Sequence, residues 1–275
     1  MFSRSTSVHV SFIATDKLTY ENWPKPVLAS ENKPSWWEKM HQYIGGRPAV
    51  VAYKSSSDLN PTAKQCMPLH DVMTAGYHIL LPCDVFIDLD SSTGRKKIIW
   101  GTSMPNIISN HNPEQVEGYP VPEGFETLPY KWSNSWIVKT PPGWSCLFQH
   151  PAYHDHLPFR SLSAIVDTDK HDMPVLFPFL LKQSFSGSIP RGTPIAQVIP
   201  FRRADVKATY TWDEDGSFAT KKHAYYQILF HAYRKFFRQP KPYSIEEAPQ
   251  GKCPFHSGDA SIGNPGKSKI VAEGE

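Results

Sequence analysis

A mainly β fold with helical additions at both ends is the class this sequence predicts, and three observations predict it. Between about residues 75 and 202, eight short apolar segments are each bounded by Pro, Gly, Ser or Asp, with no helical pattern between them. The chain carries 26 prolines in 275 residues, about twice the usual frequency of roughly 5%. Proline removes a backbone donor and clashes with the preceding turn, so long helices are excluded from most of the chain. Beyond Arg203 the hydrophobic period changes from that of a strand to that of a helix.

The elements follow in order. Val8, Val10 and Phe12 alternate with His9 and Ser11, the pattern of a half-buried opening strand. Ser35 precedes WWEKMHQYI and Glu38 lies three residues on, which predicts a capped short helix ending at Gly45-Gly46, with Trp36, Met40 and Tyr43 on one face. The strand candidates are GYHILLP, DVFIDLD, KKIIW, SWIVKT, SCLFQH, SAIVDTD, PVLFPFLL and IAQVIPF. Many short strands without helices between them predict a mostly antiparallel barrel or sandwich. The stretch from Trp100 to Lys131 holds five prolines and little periodicity, and reads as a long surface excursion. Tyr225, Leu229, Tyr233 and Phe236 recur at helical spacing and predict an amphipathic helix over 220–238, ended by Pro240 and Pro242. The organisation expected is therefore an N-terminal strand and helix (1–74), a β core (75–205), a helical appendage (206–245) and a polar, Gly-rich flexible tail (246–275).

Composition excludes several classes. With 40% hydrophobic and 20% charged residues the chain is globular rather than disordered. A formal charge of +3 is too mild to predict a nucleic-acid partner. No apolar run approaches the ~20 residues of a membrane-spanning helix. The first residues lack the apolar stretch of a signal peptide, so a cytoplasmic location is expected. Cys66, Cys83, Cys146 and Cys253 form no C-x-x-C pair and are expected as reduced thiols. From Lys221 to Lys241 there are six Lys or Arg and no acid. Such a helix could dock on a partner, although packing its aromatic stripe on the β core is the simpler reading.

Reactive side chains concentrate in HPAYHDH (150–156) and DTDKH (167–171). On extended backbone, alternate residues share a face, so His154 and His156 would point one way, and Asp167, Asp169 and His171 likewise. Were the two segments neighbours, His150, His154, His156, Asp169 and His171 could converge on one divalent transition ion, Fe, Mn or Zn. Gly266-Lys267-Ser268 looks like part of a phosphate loop but has Ser261 where glycine is required and no following helix. Cys253 and His256 supply two ligands, too few for a closed zinc site. No G-x-S-x-G elbow marks a hydrolase.

Four segments together carry a resemblance. Ala75-Gly76-Tyr77-His78, WIVKTPPG (136–143), AIVDTD (164–169) and GTPIAQVI (192–199) resemble motifs of the dUTPase and dCTP deaminase superfamily, across about half the chain. The resemblance implies a β-clip fold, a distorted barrel of short strands, in which neighbouring protomers commonly build the site. It implies that Asp167 corresponds to the residue that orients water. Departures are specific: Lys170 stands where the family has its sugar-stacking Tyr, and the phosphate-gripping Arg-Ser-Gly falls at His150-Pro151-Ala152. His78 replaces the Asp of the opening motif, and the Gly-rich C-terminal motif is absent. Hydrolysis of dUTP is therefore not expected. The chain also resembles, over a longer span, uncharacterised proteins of tailed phages and bacteria, through CMPLHDVMTAGY, His150 to Phe159 and Ile189 to Arg203. Together these readings lead to the expectation of a small-molecule-binding protein, with enzymatic activity an open question, using a polar cleft of His150, Asp167, Asp169, His171 and Gln197. The alternatives are a metal-dependent enzyme built on the His/Asp cluster and a phage-related structural or interaction protein. A homo-oligomer fits the first reading.

Overall fold

Period-2 alternation marks several of the strands. In VFIDL, for example, Val85 and Ile87 are buried while Phe86 and Asp88 face solvent. A computed structural model of the chain describes residues 7–47, 61–90, 92–93, 96–101, 106–127, 129–228 and 233–246. Those residues form a mainly β architecture of four antiparallel sheets, with no closed barrel.

The strands in chain order are β1 (Ser11–Ala14), β2 (Val27–Leu28), β3 (Tyr77–Leu80), β4 (Val85–Leu89), β5 (Lys96–Trp100), β6 (Ile108–Asn110), β7 (Tyr130–Trp132), β8 (Trp136–Lys139), β9 (Trp144–Gln149), β10 (Phe159–Ser161), β11 (Ala164–Val166), β12 (Phe177–Leu181), β13 (Gly187–Ile189) and β14 (Pro194–Arg202). The helices are α1 (Lys17–Asn22), α2 (Ser35–Lys39), α3 (Met67–Met73) and α4 (Ser217–Ile228). A five-stranded sheet ordered β11-β9-β14-β3-β2 is the centre, flanked by β10-β12-β7-β6, β13-β4-β5 and the pair β1-β8. The segments that carry the family resemblance supply β3, β8 with the turn into β9, β11 and β14. All but β8 lie in the central sheet.

One apolar core joins these sheets. Trp132 stacks on Phe179 with ring centroids 4.0 Å apart, Phe159 meets both edge-on, and Ile195 and Val198 of β14 are fully covered. The expectation of a mainly β fold is met at that level. Several finer expectations are corrected. The proline-rich excursion contributes β6 and β7, and Ile107, Ile108 and Tyr130 are buried in the core. Three-residue strands are too short for their alternation to show between prolines. The helix expected after Ser35 begins at that residue, with Pro34 as its cap, and stops at Met40 after one turn. It has no capping box. The expected helix over 220–238 is α4 followed, after residues 229–232 outside the described set, by a π-turn over Tyr233–Phe237.

The segment beyond that turn is tied down by charge. Arg238 makes two bonds to one Asp71 oxygen, at 3.0 and 2.7 Å, and Lys241 reaches the other at 2.8 Å. These bonds, the Arg238 hydrogen bond first, hold the Asp71 carboxyl down to about 2. Residues 1–243 form one compact unit. The other, 244–275, includes the expected tail and lies outside the described residues except for 244–246.

Candidate functional site

The expected cleft divides into three separate structures. At the start of β9, Arg203 clasps the Asp169 carboxylate with both terminal nitrogens and also donates to Trp144 O and Ser145 Oγ, each at 2.9 Å. The Gly143 amide donates to Asp169 Oδ2 at 2.9 Å. The Asp169 side chain is 2% exposed, and the Arg203 hydrogen bond, foremost, holds its carboxyl far below the usual range. Asp167 accepts from Ser145 Oγ at 2.7 Å and Arg203 at 3.2 Å while staying 61% exposed. A carboxylate so saturated closes a loop rather than binding metal. His171 lies exposed in the same turn, its amide donating to Asp167 O.

Gln197 belongs to the core. It is fully buried, donates to Val72 O at 2.8 Å and Ala75 O at 2.7 Å, and accepts from Ala152 N at 3.0 Å and Gln149 Nε2 at 3.2 Å. All its capacity is spent holding α3, the turn before β3, and the segment after β9 together. Its role here is positional.

The histidines make a third group, which includes one that sequence reasoning did not count. His78 of β3 packs edge-on to His154 with centroids 5.5 Å apart, and His154 lies 5.5 Å from His156. His78 and His154 are 1% and 4% exposed, and both ring nitrogens of His78 and Nε2 of His154 lack a hydrogen-bond partner. Burial, foremost, and the neighbouring imidazoles push His78 down to about 3 and His154 to about 4. Among the described residues no group of three His, Cys, Asp or Glu is placed to hold a metal ion. The five ligands read from the sequence are thus not gathered around one point. Asp169 faces Arg203, His171 faces solvent, and His150 sits in a wall with both nitrogens engaged.

This imidazole pair makes stability pH-dependent. Unfolded histidine binds its proton near 6.5, whereas the buried pair stays neutral until about 4 and about 3, so the unfolded state holds more protons between those values. Stability is complete above about pH 6.5 and falls as pH drops. The slope approaches about 1.4 kcal/mol per pH unit for each imidazole. Urea unfolding at a series of pH values from 7 to 4.5 should show this fall. His78→Leu, which removes two orphaned nitrogens from the interior, should leave stability at pH 7 unharmed and make the slope shallower. An unchanged slope would contradict this account.

A cleft of roughly 320 Å³, open to solvent, lies between the segment after β9 and the outer face of β10. Its walls include His150, Tyr153, Asp155, Arg160 and Ser163. None of Asp167, Asp169, His171 or Gln197 lines it. His150 accepts from the Ser161 amide at Nδ1 and faces His154 O with Nε2, each at 3.3 Å, which fixes the tautomer with the proton on Nε2. Burial, the largest cause, lowers its pKa. Tyr153 has φ +61°, the one positive value outside glycine among the described residues. Trp36 holds it there, with Nε1 donating to Tyr153 O at 2.9 Å. Arg160 points out of β10 between buried Phe159 and Ser161, and its guanidinium makes no hydrogen bond or ion pair among the described residues.

Comparison with known proteins returned nothing. The chain matches no family model, no curated protein and no solved structure. Its own geometry must carry the functional reading. Cys66, Cys83 and Cys146 are free thiols, and no helix among the described residues is long and apolar enough to cross a membrane.

Proposed function

We propose that this chain binds a small anionic molecule in the cleft between the segment after β9 and β10. The observation that carries the reading is Arg160, a guanidinium without an ion-pair partner among the described residues at the mouth of a concave, polar site. In the resemblance to the β-clip superfamily, the phosphate-gripping motif falls at His150-Pro151-Ala152, which is one wall of this cleft. The Arg missing from that motif is replaced, on this reading, by one supplied from β10. The strained Tyr153 backbone fits the same proposal, because such strain is concentrated at ligand-binding segments.

Binding is favoured over turnover by the state of the neighbouring groups. Both His150 nitrogens are engaged, and Ser161 Oγ donates to Ile195 O at 2.5 Å, so neither is set as base or nucleophile. Thermal-shift and calorimetric titration against inorganic phosphate, sugar phosphates and nucleoside phosphates tests the proposal. At least one should bind, and Arg160→Ala should weaken it by about ten- to a hundredfold, the value of a charge-assisted contact of roughly 1.5–3 kcal/mol. Retained affinity in that variant, or no binding across the panel, would overturn it. Pyrophosphate release from dUTP should stay at background.

A further inference from the structure

Two opposite charges line the proposed cleft and do not meet. Asp155 lies exposed in the turn over 154–157, which the Leu157 amide closes by donating to His154 O at 3.0 Å, and Arg160 leaves the outer face of β10. Between them the chain is pinned by buried Leu157 and by Phe159, which packs edge-on against Trp132 and Phe179. The fold therefore fixes where each charge stands. Neither side chain makes a hydrogen bond or ion pair among the described residues, and the Lys182 ammonium reaches Asp155 only at its backbone oxygen, at 3.2 Å. The other polar groups of the wall are divided. Gln149, His150 and Ser161 are spent on protein partners, whereas the Tyr153 and Ser163 hydroxyls make no hydrogen bond among the described residues.

We infer that the ligand of this cleft is a small zwitterion, whose anionic group meets Arg160 and whose ammonium group meets Asp155. The inference rests on the anion-binding reading above and narrows it. A carboxylate in the wall repels a second negative charge and favours a cationic donor, so the residue that seats the amine also turns away polyanions such as pyrophosphate. Affinity for one class and rejection of the other come from the same side chain. Both charges act on one small space, because His150 feels each of them: after burial, its largest influence, Asp155 favours the protonated imidazole and Arg160 opposes it. At roughly 320 Å³ the cleft stands near the lower limit of ligand sites, which suits a molecule of this size.

The test is calorimetric titration of the full chain with compounds that differ only at one end. Ethanolamine phosphate, hydroxyethyl phosphate and ethyl phosphate form one series, and β-alanine and propionate the carboxylate pair. In at least one series the amine should bind about three- to fivefold tighter than its amine-free matches, as an exposed ion pair allows. The series that does so names the anionic group. Asp155→Asn should abolish that preference and raise the affinity for pyrophosphate, whereas Arg160→Ala should weaken every member of the series alike. Asp155 is exposed and its carboxylate bonds nothing among the described residues, so circular dichroism should show the variant folded. Equal binding of the amine and hydroxyl compounds, or a preference that survives Asp155→Asn, overturns the zwitterion and leaves the anion site standing. Binding indifferent to Arg160→Ala, or no binding at all, overturns both.

Discussion

Replacing Gly76 with alanine is expected to cost about 4 kcal/mol or more, a large share of a typical margin of ~5–15 kcal/mol. Gly76 has φ +69°, and a Cβ there would stand 2.0 Å from Val198 O of β14 and 3.2 Å from Ile199 Cα. The obstacle is backbone in the middle of the central sheet, so neither partner can swing aside as a side chain would. Gly76 O also accepts from the Ala29 amide at 3.0 Å, fixing the turn from the other direction. Gly143→Ala is the control: φ is +83°, but no atom lies within 4 Å of its Cβ. It should show only the left-handed conformational cost of about 1–2 kcal/mol. Thermal unfolding reads the difference, at about 2–4 °C for each kcal/mol in a chain of this size. Equal melting temperatures for the two variants would refute the steric argument.

Replacing Gln197 with leucine should cost about 3–4 kcal/mol. Leucine fills nearly the same space but can neither donate to Val72 O and Ala75 O nor accept from Ala152 N and Gln149 Nε2. Each buried group left unpaired costs about 1–3 kcal/mol, and water entering from the adjoining cleft relieves part of it. The loss should also reach the cleft, since Ala152 lines it and is held by that amide. Urea unfolding should show the lower midpoint, and anion affinity should fall with it. Full stability in this variant would mean that the four contacts are dispensable.

Gly76 and Gln197 also show how far the sequence could be read. Both stand in or beside segments that the sequence marks as strands, GYHILLP and IAQVIPF, and those segments form β3 and β14, neighbours in the central sheet. Their part here is packing: a glycine that lets β14 pass and a glutamine that bonds four groups. Their prominence in the sequence therefore did not mark chemistry. Five alternating residues announced β4 and β5, and a long apolar run announced β14, whereas β6, β7 and β10 have three residues and no room for a period. α3 was missed because Pro68 sits in its first turn, where proline is tolerated but reads as a breaker.

The site was less legible because its members are remote in the chain. Asp169 looked free until Arg203, 34 residues on, closed over it. His78 gave no local signal, standing alone in an apolar strand, yet it is the residue that meets His154. Arg160 had one usable sign, a charge between two buried residues in Phe-Arg-Ser, which places a guanidinium on the outer face of a strand. Only the packing of β10 against the segment after β9 turns that position into the rim of a cleft.

The Arg203 clasp has a mechanical meaning as well. The Arg203 amide donates to Gly143 O at 2.8 Å and its guanidinium to Trp144 O, so the last link of β14 is bolted to the first residue of β9. Tension drawn through residues 204–212 is borne there before any pair of the β14–β9 ladder is loaded. The buried Asp169 carboxylate gives that bolt a charged counterpart that cannot be peeled away one backbone bond at a time. Force on that segment is thus stopped at the rim of the sheet, and the core strand behind it carries none until the clasp itself gives way.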